Sequence, residues 1–175
     1  MGNQETIIAL ATPNGLGAIS VIRISGNNSI KIAEKLFKSN KNKLLSNQKS
    51  HTVHLGHIMK ENHELDEVLI TLFKGPYSYT GEDTIEISCH GSTYIQKEII
   101  NLFIDNGIRI ANPGEFTLRA FLNGKMDLNQ AEAVADLIAS ENEGSHKLAM
   151  QQMKSGFSND LKKLRAELVA FFIND

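Results

Sequence analysis

The sequence predicts an α+β fold, a mixed β-sheet with flanking helices over residues 1–122 followed by the beginning of an α-helical domain over 123–175. Three observations carry that expectation. Short runs rich in Ile and Val, bounded by turn residues, recur through the first part of the chain. Segments with apolar residues at three- and four-residue spacing are interleaved with them. After Asp127 there is no proline and no β-branched cluster, and only the helical period is left.

"TIIALAT" and "GAISVIRIS" read as two strands separated by the turn signal "PNGLG". Gly15 and Gly17 lead into a strand rather than a helix, so no helix N-terminus receives a phosphate there, and the G-x-G is a turn. From Asn27, "NNSIKIAEKLFKS" places Ile30, Ala33, Leu36 and Phe37 at helical spacing behind a capping residue. Between Lys31 and Lys49 there are six lysines and one glutamate, and "KSNKNKLLSNQKS" offers little to bury. It reads as a flexible basic connector, a solvated loop or an RNA-contacting patch.

"TVHLGHIMK" and "LDEVLITLFK", joined by "ENHE", form a predicted hairpin. His51, His54 and His57 recur every three residues, but strand alternation sends His54 to the face opposite the other two, which argues against a zinc site. "TIEISCH" is the next strand. "STYIQKEIINLFIDNG" is a helix with Ser92 at its start and Gly107 at its end, and "IRIAN" is a short strand. "NPGEFTLRAFLNG" opens another helix, with Asn112 as cap, Pro113 at the first position and Glu115 at the third. Beyond Asp127 a helix pair is expected, with Leu148, Met153, Phe157, Leu161, Leu164, Leu168 and Phe171 in one apolar stripe, as part of a larger bundle.

Composition excludes several classes. With 41% hydrophobic and 22% charged residues, no apolar run approaches the ~18 residues of a membrane span. The start "MGNQETIIALATPNG" has neither the basic residues nor the long apolar stretch of a signal peptide. A lone cysteine forms no internal disulfide, so a cytoplasmic location is expected. A net charge of −2 argues against a general nucleic-acid coat.

"TGEDTIEISCHGS" concentrates Glu82, Asp83, Glu86, Cys89 and His90, which on first view suggests a metal or nucleophile cluster. In a strand, however, Thr84, Glu86, Ser88 and His90 face one way while Ile85, Ile87 and Cys89 face the other. Cys89 is then a small buried hydrophobe, and an acid–base pair of Glu86 with His90 remains open. Arg23 shares a strand face with Ile19 and Val21, with Ile22 and Ile24 opposite. A charge so embedded needs a carboxylate or an anionic ligand, and Glu86 has the matching need. Two readings stand together: a mutual ion pair that fixes strand order, and a polar pair lining a pocket.

"TIIALATPNGLGAISVIRISG", "PYSYTGEDTIEISCHG" and "NPGEFTLRAFLNGKMDLNQAEAVADLI" closely resemble the N-terminal region of the MnmE (TrmE) family of bacterial tRNA uridine-modifying GTPases. The resemblance runs from Thr6 to the last helix and is weakest between Lys38 and His63. It implies a homodimer whose N-terminal domain resembles folate-dependent one-carbon transfer proteins, followed by a helical domain into which a GTPase domain is inserted. With a FAD-dependent MnmG-type partner, such proteins are implied to add an aminomethyl-type group at C5 of the wobble uridine of tRNA. The one-carbon unit would come from a tetrahydrofolate derivative, 5-formyl- or 5,10-methylene-, and GTP, magnesium and potassium would serve the GTPase domain. Carried over residue by residue, the family's folate-contacting positions fall on Arg23 of "RISG", Glu86 of "TIEIS" and Lys125 of "LNGKMDL". No G-x-x-x-x-G-K-[ST] is present, since Gly124-Lys125 is followed by Met126, and the family's C-terminal cysteine motif is absent too. A partial chain that does not hydrolyse GTP is expected. A stand-alone folate-dependent one-carbon transferase and a purely structural dimerisation module are the alternatives.

Overall fold

The computed structural model describes residues 5–154 and, beyond them, residues 164, 165 and 169. The chain divides into two compact units, Met1–Phe116 and Thr117–Asp175. The first unit holds β1 (Ile7–Leu10), β2 (Ile19–Ser25), α1 (Ser29–Leu36), β3 (Phe37–Ser39), β4 (Thr52–Lys60), β5 (His63–Phe73), β6 (Thr84–His90), α2 (Thr93–Asp105) and β7 (Arg109–Ile110). Helix α3 (Glu115–Leu122) begins at the end of that unit, and the second unit contains α4 (Leu128–Ile138) and α5 (Glu143–Lys154).

All seven strands join one sheet in the order β3-β4-β5-β6-β2-β1-β7. Every pairing is antiparallel except β1 with β7, which makes the sheet mixed as expected. Strand alternation sorts the side chains into two faces. Ile22 and Ile24 of β2, Val68, Ile70 and Leu72 of β5, and Ile85, Ile87 and Cys89 of β6 pack into one core with Ile30, Ala33 and Leu36 of α1 and Ile99, Leu102 and Phe103 of α2. The opposite face carries no helix of this unit and bears Val21, Arg23, Glu86 and Ser88, with Val53, Leu55 and Leu69 exposed.

The G-x-G segment is indeed a turn leading into β2. Gly17 donates its N–H to the Gly91 carbonyl at 3.0 Å, and a Cβ on Gly91 would lie 2.2 Å from the Gly17 oxygen. The two backbones approach so closely that position 91 has no space for a side chain.

Two expectations are corrected in the basic connector. Phe37 does not end the preceding helix but opens β3, and the segment is anchored rather than free. Leu45 is buried in the core, and Glu34 Oε2 accepts from both the Ser46 N–H (2.8 Å) and Ser46 Oγ (2.7 Å). Two apolar side chains, Phe37 and Leu45, suffice to dock an otherwise polar stretch. Gly56 admits Phe37, because a Cβ there would come within 2.6 Å of its ring. The hairpin turn is also tighter than "ENHE", since β5 already begins at His63 and Glu61 takes φ 56.

In the second unit, Asp127 caps α4 through a complete capping box with Gln130. The buried residues of α4 and α5 are Ala133 and Ala149, small side chains that permit close helix approach. Leu148, expected in an apolar stripe, is exposed, as is Leu164, while Met153 is half-buried. Phe157, Leu161, Leu168 and Phe171 lie outside the described residues.

Candidate ligand-binding site on the open face of the sheet

Strands β2 and β6 pair in a register that sets Arg23 directly opposite Glu86. Both side chains leave on the open face. Arg23 donates from Nε (2.9 Å) and Nη2 (2.7 Å), and both bonds fall on Glu86 Oε1. The two side chains are 27% and 25% exposed, so the pair is largely desolvated yet reachable. With Oε1 doubly engaged, Oε2 is left to accept from a ligand.

Aromatic rings flank the guanidinium. Its carbon lies 5.0 Å from the centroid of Tyr79 and 5.7 Å from that of Phe116, within cation–π range. Tyr79 is delivered by the loop between β5 and β6, which folds over the end of β2. Asp83 holds that loop: its Oδ1 accepts from the Gly75 N–H (2.9 Å), and its carbonyl accepts from the Gly26 N–H (3.0 Å) and Ser29 Oγ (2.9 Å). Ser25 Oγ donates to Glu82 Oε2 (2.7 Å) and lies 2.6 Å from Thr80 Oγ1. Phe116 stands at the start of α3, beside Glu115, which Arg109 grips through two bonds of 3.1 and 2.7 Å. Those bonds, with a further one to Glu5, push the Arg109 guanidinium above its ordinary value, so it stays charged.

Next to Arg23 is a hollow of about 370 Å³, within the range of small-molecule pockets, bounded by β1, Arg23, the 111–114 turn and Phe116. Ala9 stands opposite Arg23 in the β1–β2 register, and its short side chain leaves the space open. The hollow itself is lined by the Arg23 guanidinium and the Phe116 ring, while Glu86 and Tyr79 reach that guanidinium from outside its lining; a cation beside an aromatic plane suits a planar heteroaromatic ligand with acceptor atoms.

Of the three residues carried over from the resemblance, the structure brings Arg23 and Glu86 together. The ion pair is present, and of its two members Arg23 lines the hollow while Glu86 does not. Lys125 belongs to the second unit. It is exposed in the turn between α3 and α4, where its N–H reaches the Ala120 carbonyl at 2.8 Å after Gly124 at φ +70.

Glu86 does not form an acid–base pair with His90. His90 instead binds Asp66 of β5: Nδ1 lies 2.6 Å from Oδ1, and the His90 N–H donates to Oδ2 at 2.9 Å. Asp66 was not foreseen as a partner. Its signal was a carboxylate at an inward position of β5, in step with Val68 and Ile70. Cys89 faces the core as expected, 3.6 Å from the Ser20 carbonyl. Burial, together with the Asp66 charge, pushes its thiol up to about 11. The three spaced histidines are engaged separately. His51 sets its ring edge-on to Phe73, His54 bonds Thr52 and His57 bonds Glu64. Among the described residues, no group of three or more His, Cys, Asp and Glu side chains is arranged to hold a metal.

A mixed sheet with one helix-covered face, and a charged, aromatic-flanked hollow on the other, defines an α+β domain with a candidate ligand site. Residues 6–125 match the family described as the GTP-binding protein TrmE N-terminus, and the chain belongs to that family. It is 66% identical over 171 residues to a tRNA modification GTPase MnmE from Flavobacterium johnsoniae, a match covering 98% of this chain and 37% of that relative. Proteins of the same name from Flavobacterium psychrophilum (65% identical, 96% of this chain, 36% of the relative) and Christiangramia forsetii (59%, 96% and 35%) are similarly related. The chain thus spans little more than a third of the length of these curated relatives. Among the described residues, no helix is long and apolar enough to cross a membrane.

Proposed function

We propose that this chain is the folate-binding, dimer-forming N-terminal portion of a tRNA-modifying GTPase. The Arg23–Glu86 pair, set between Tyr79 and Phe116 beside the hollow, is the observation that carries the reading. Glu86 Oε2 would accept from ring N–H groups of a pterin, Arg23 would meet carbonyl or carboxylate oxygens, and the two rings offer planes for stacking. Lys125 enters the reading from the resemblance, as a third contact to the folate. A bound tetrahydrofolate, 5-formyl- or 5,10-methylene-, supplies a one-carbon unit; this chain's residues bind and orient it. In the longer protein, GTP hydrolysis with magnesium and potassium, and a FAD-dependent MnmG-type partner, would complete the addition of an aminomethyl-type group at C5 of the wobble uridine in the cytoplasm. The exposed Val53, Leu55 and Leu69, on the face free of this unit's helices, are the apolar surface offered to a second copy.

Calorimetric titration with 5-formyltetrahydrofolate tests the site. Arg23→Ala and Glu86→Ala should each weaken binding by at least about tenfold, the loss of one charge-assisted contact. Unchanged affinity in both variants would remove these residues from the site, and no heat with the parent chain would remove the ligand.

A further inference from the structure

Between Lys35 and Lys60 the sequence holds six lysines and neither aspartate nor glutamate. The whole chain carries −2, so this +6 stretch leaves the remainder at −8. The asymmetry lies along one border of the sheet, because β3 is its terminal strand and the 40–51 loop follows directly. Lys38 stands opposite His57 in the β3–β4 register, and Lys38, Lys41, Lys43 and Lys49 are all exposed. None of these four forms an ion pair among the described residues, whereas Arg23, Lys60 and Arg109 do.

The loop that carries them is pre-ordered. Leu45 anchors it in the core, Glu34 holds Ser46, and Lys74 Nζ donates to the Ser46 carbonyl at 2.8 Å. Asn42, at φ 50, closes the turn with its N–H on the Ser39 carbonyl at 3.0 Å. Cations on a fixed backbone lose less entropy on binding than cations on a mobile tail. Beside the turn lies a hollow of about 290 Å³ whose lining includes Lys38, Asn40 and Asn42, capable of donating N–H to a phosphate oxygen, and the His57–Glu64 pair, whose Nδ1–Oε1 contact of 2.6 Å already engages that carboxylate.

We propose that this edge of the sheet binds the phosphodiester backbone of a folded RNA. Of Phe, Tyr and Trp the stretch holds Phe37 alone, which is buried, and its three histidine rings are engaged within the protein, His51 edge-on to Phe73, His54 with Thr52 and His57 with Glu64, which leaves a poor platform for stacking unpaired bases. Cations and amide donors without such a platform match the phosphates of a paired, folded RNA. An acidic membrane surface fits less well, because Leu44 is the one exposed large apolar side chain of the 40–51 loop. Relatives named for tRNA modification make RNA the polyanion this family meets. The surface is separate from the Arg23–Glu86 site and does not depend on what that site binds.

Lysines on a terminal strand also discourage edge-to-edge aggregation, and the experiment separates that role from RNA binding. A labelled, folded tRNA transcript is titrated with the full chain by fluorescence anisotropy between about 50 and 200 mM salt. The variant Lys38→Glu/Lys41→Glu/Lys43→Glu should bind more than about tenfold more weakly at low salt, with the salt slope reduced by roughly 2–3. A control with the same charge change elsewhere, Lys97→Glu/Lys147→Glu/Lys154→Glu, should bind closer to the parent. The corresponding Lys→Gln variant, checked by thermal melting, answers the same question should the Glu variant fail to fold. Arg23→Ala should leave RNA affinity unchanged, so failure of the folate reading would not mimic failure here. The proposal is overturned if the parent chain does not bind RNA, if both triple variants weaken equally, or if the edge variant aggregates with unchanged RNA affinity. Binding to phosphatidylserine vesicles in place of RNA would also overturn it.

Discussion

Two hydrogen bonds converging on one oxygen define what Arg23 and Glu86 do for each other. Glu86→Ala leaves a guanidinium in a mostly buried setting with its partner gone, and a loss of about 1–3 kcal/mol in urea unfolding is expected. Glu86→Gln keeps an acceptor and should lose less. Cys89 offers a second check. Its folded thiol is raised from an ordinary value of 9.0 to about 11, so its contribution to stability is fully present below pH 9 and lost as pH rises through 9 to 11. A thiol reagent at pH 8 should therefore label Cys89 slowly in the native chain and rapidly in denaturant; rapid native labelling would contradict its burial. Strand parity was enough to separate Glu86 from Cys89, because alternation is local. It was silent on Asp66, whose bond to His90 spans 24 residues and depends on how β5 lies beside β6.

Elements with strong local signals were legible, and those fixed by a few distant contacts were not. The Ile-rich strands, the α2 boundaries at Ser92 and Gly107, and the turn before β2 all follow from residue types within a short window. Strand β3 does not, because its three residues exist as a strand only through pairing with Phe37↔Ile58, Lys38↔His57 and Ser39↔Gly56. The capping box of α4 between Asp127 and Gln130 is also local but emerges from the structure, and Asp127→Ala should cost about 1 kcal/mol and reduce helical circular dichroism. Gly91→Ala tests the closest backbone approach. With an added Cβ 2.2 Å from the Gly17 oxygen, the turn before β2 must move, and a loss of roughly 1–3 kcal/mol is expected. A melting temperature equal to that of the parent would show that the two segments separate without cost.

At the scale of the whole molecule, the division of labour between the two sheet faces matters most. One face is committed to the helices, and the other holds the candidate site and the exposed Leu55, which stands opposite Leu69 in the β4–β5 register. If that face meets a second copy, Leu55→Asp/Leu69→Asp should shift sedimentation toward the monomer while leaving the fold intact; an unchanged distribution would move the interface elsewhere. The architecture was readable from sequence because periodicity reports on faces. The candidate site was readable only in part: strand parity singled out Arg23 and Glu86 and the resemblance pointed to them and to Lys125, while Tyr79 and Phe116 reach the guanidinium through a loop and a helix start.

The wide separation of those four residues also bears on biosynthesis. Arg23 leaves the ribosome 63 residues before its counter-ion Glu86, and Phe116 follows later still. The parallel β1–β7 pairing likewise waits for Arg109 and Ile110. A nascent chain halted before residue 86 thus carries an unpaired guanidinium on a strand that has β1 on one side but not yet β6 on the other. The candidate site is consequently complete only near the end of this unit's synthesis.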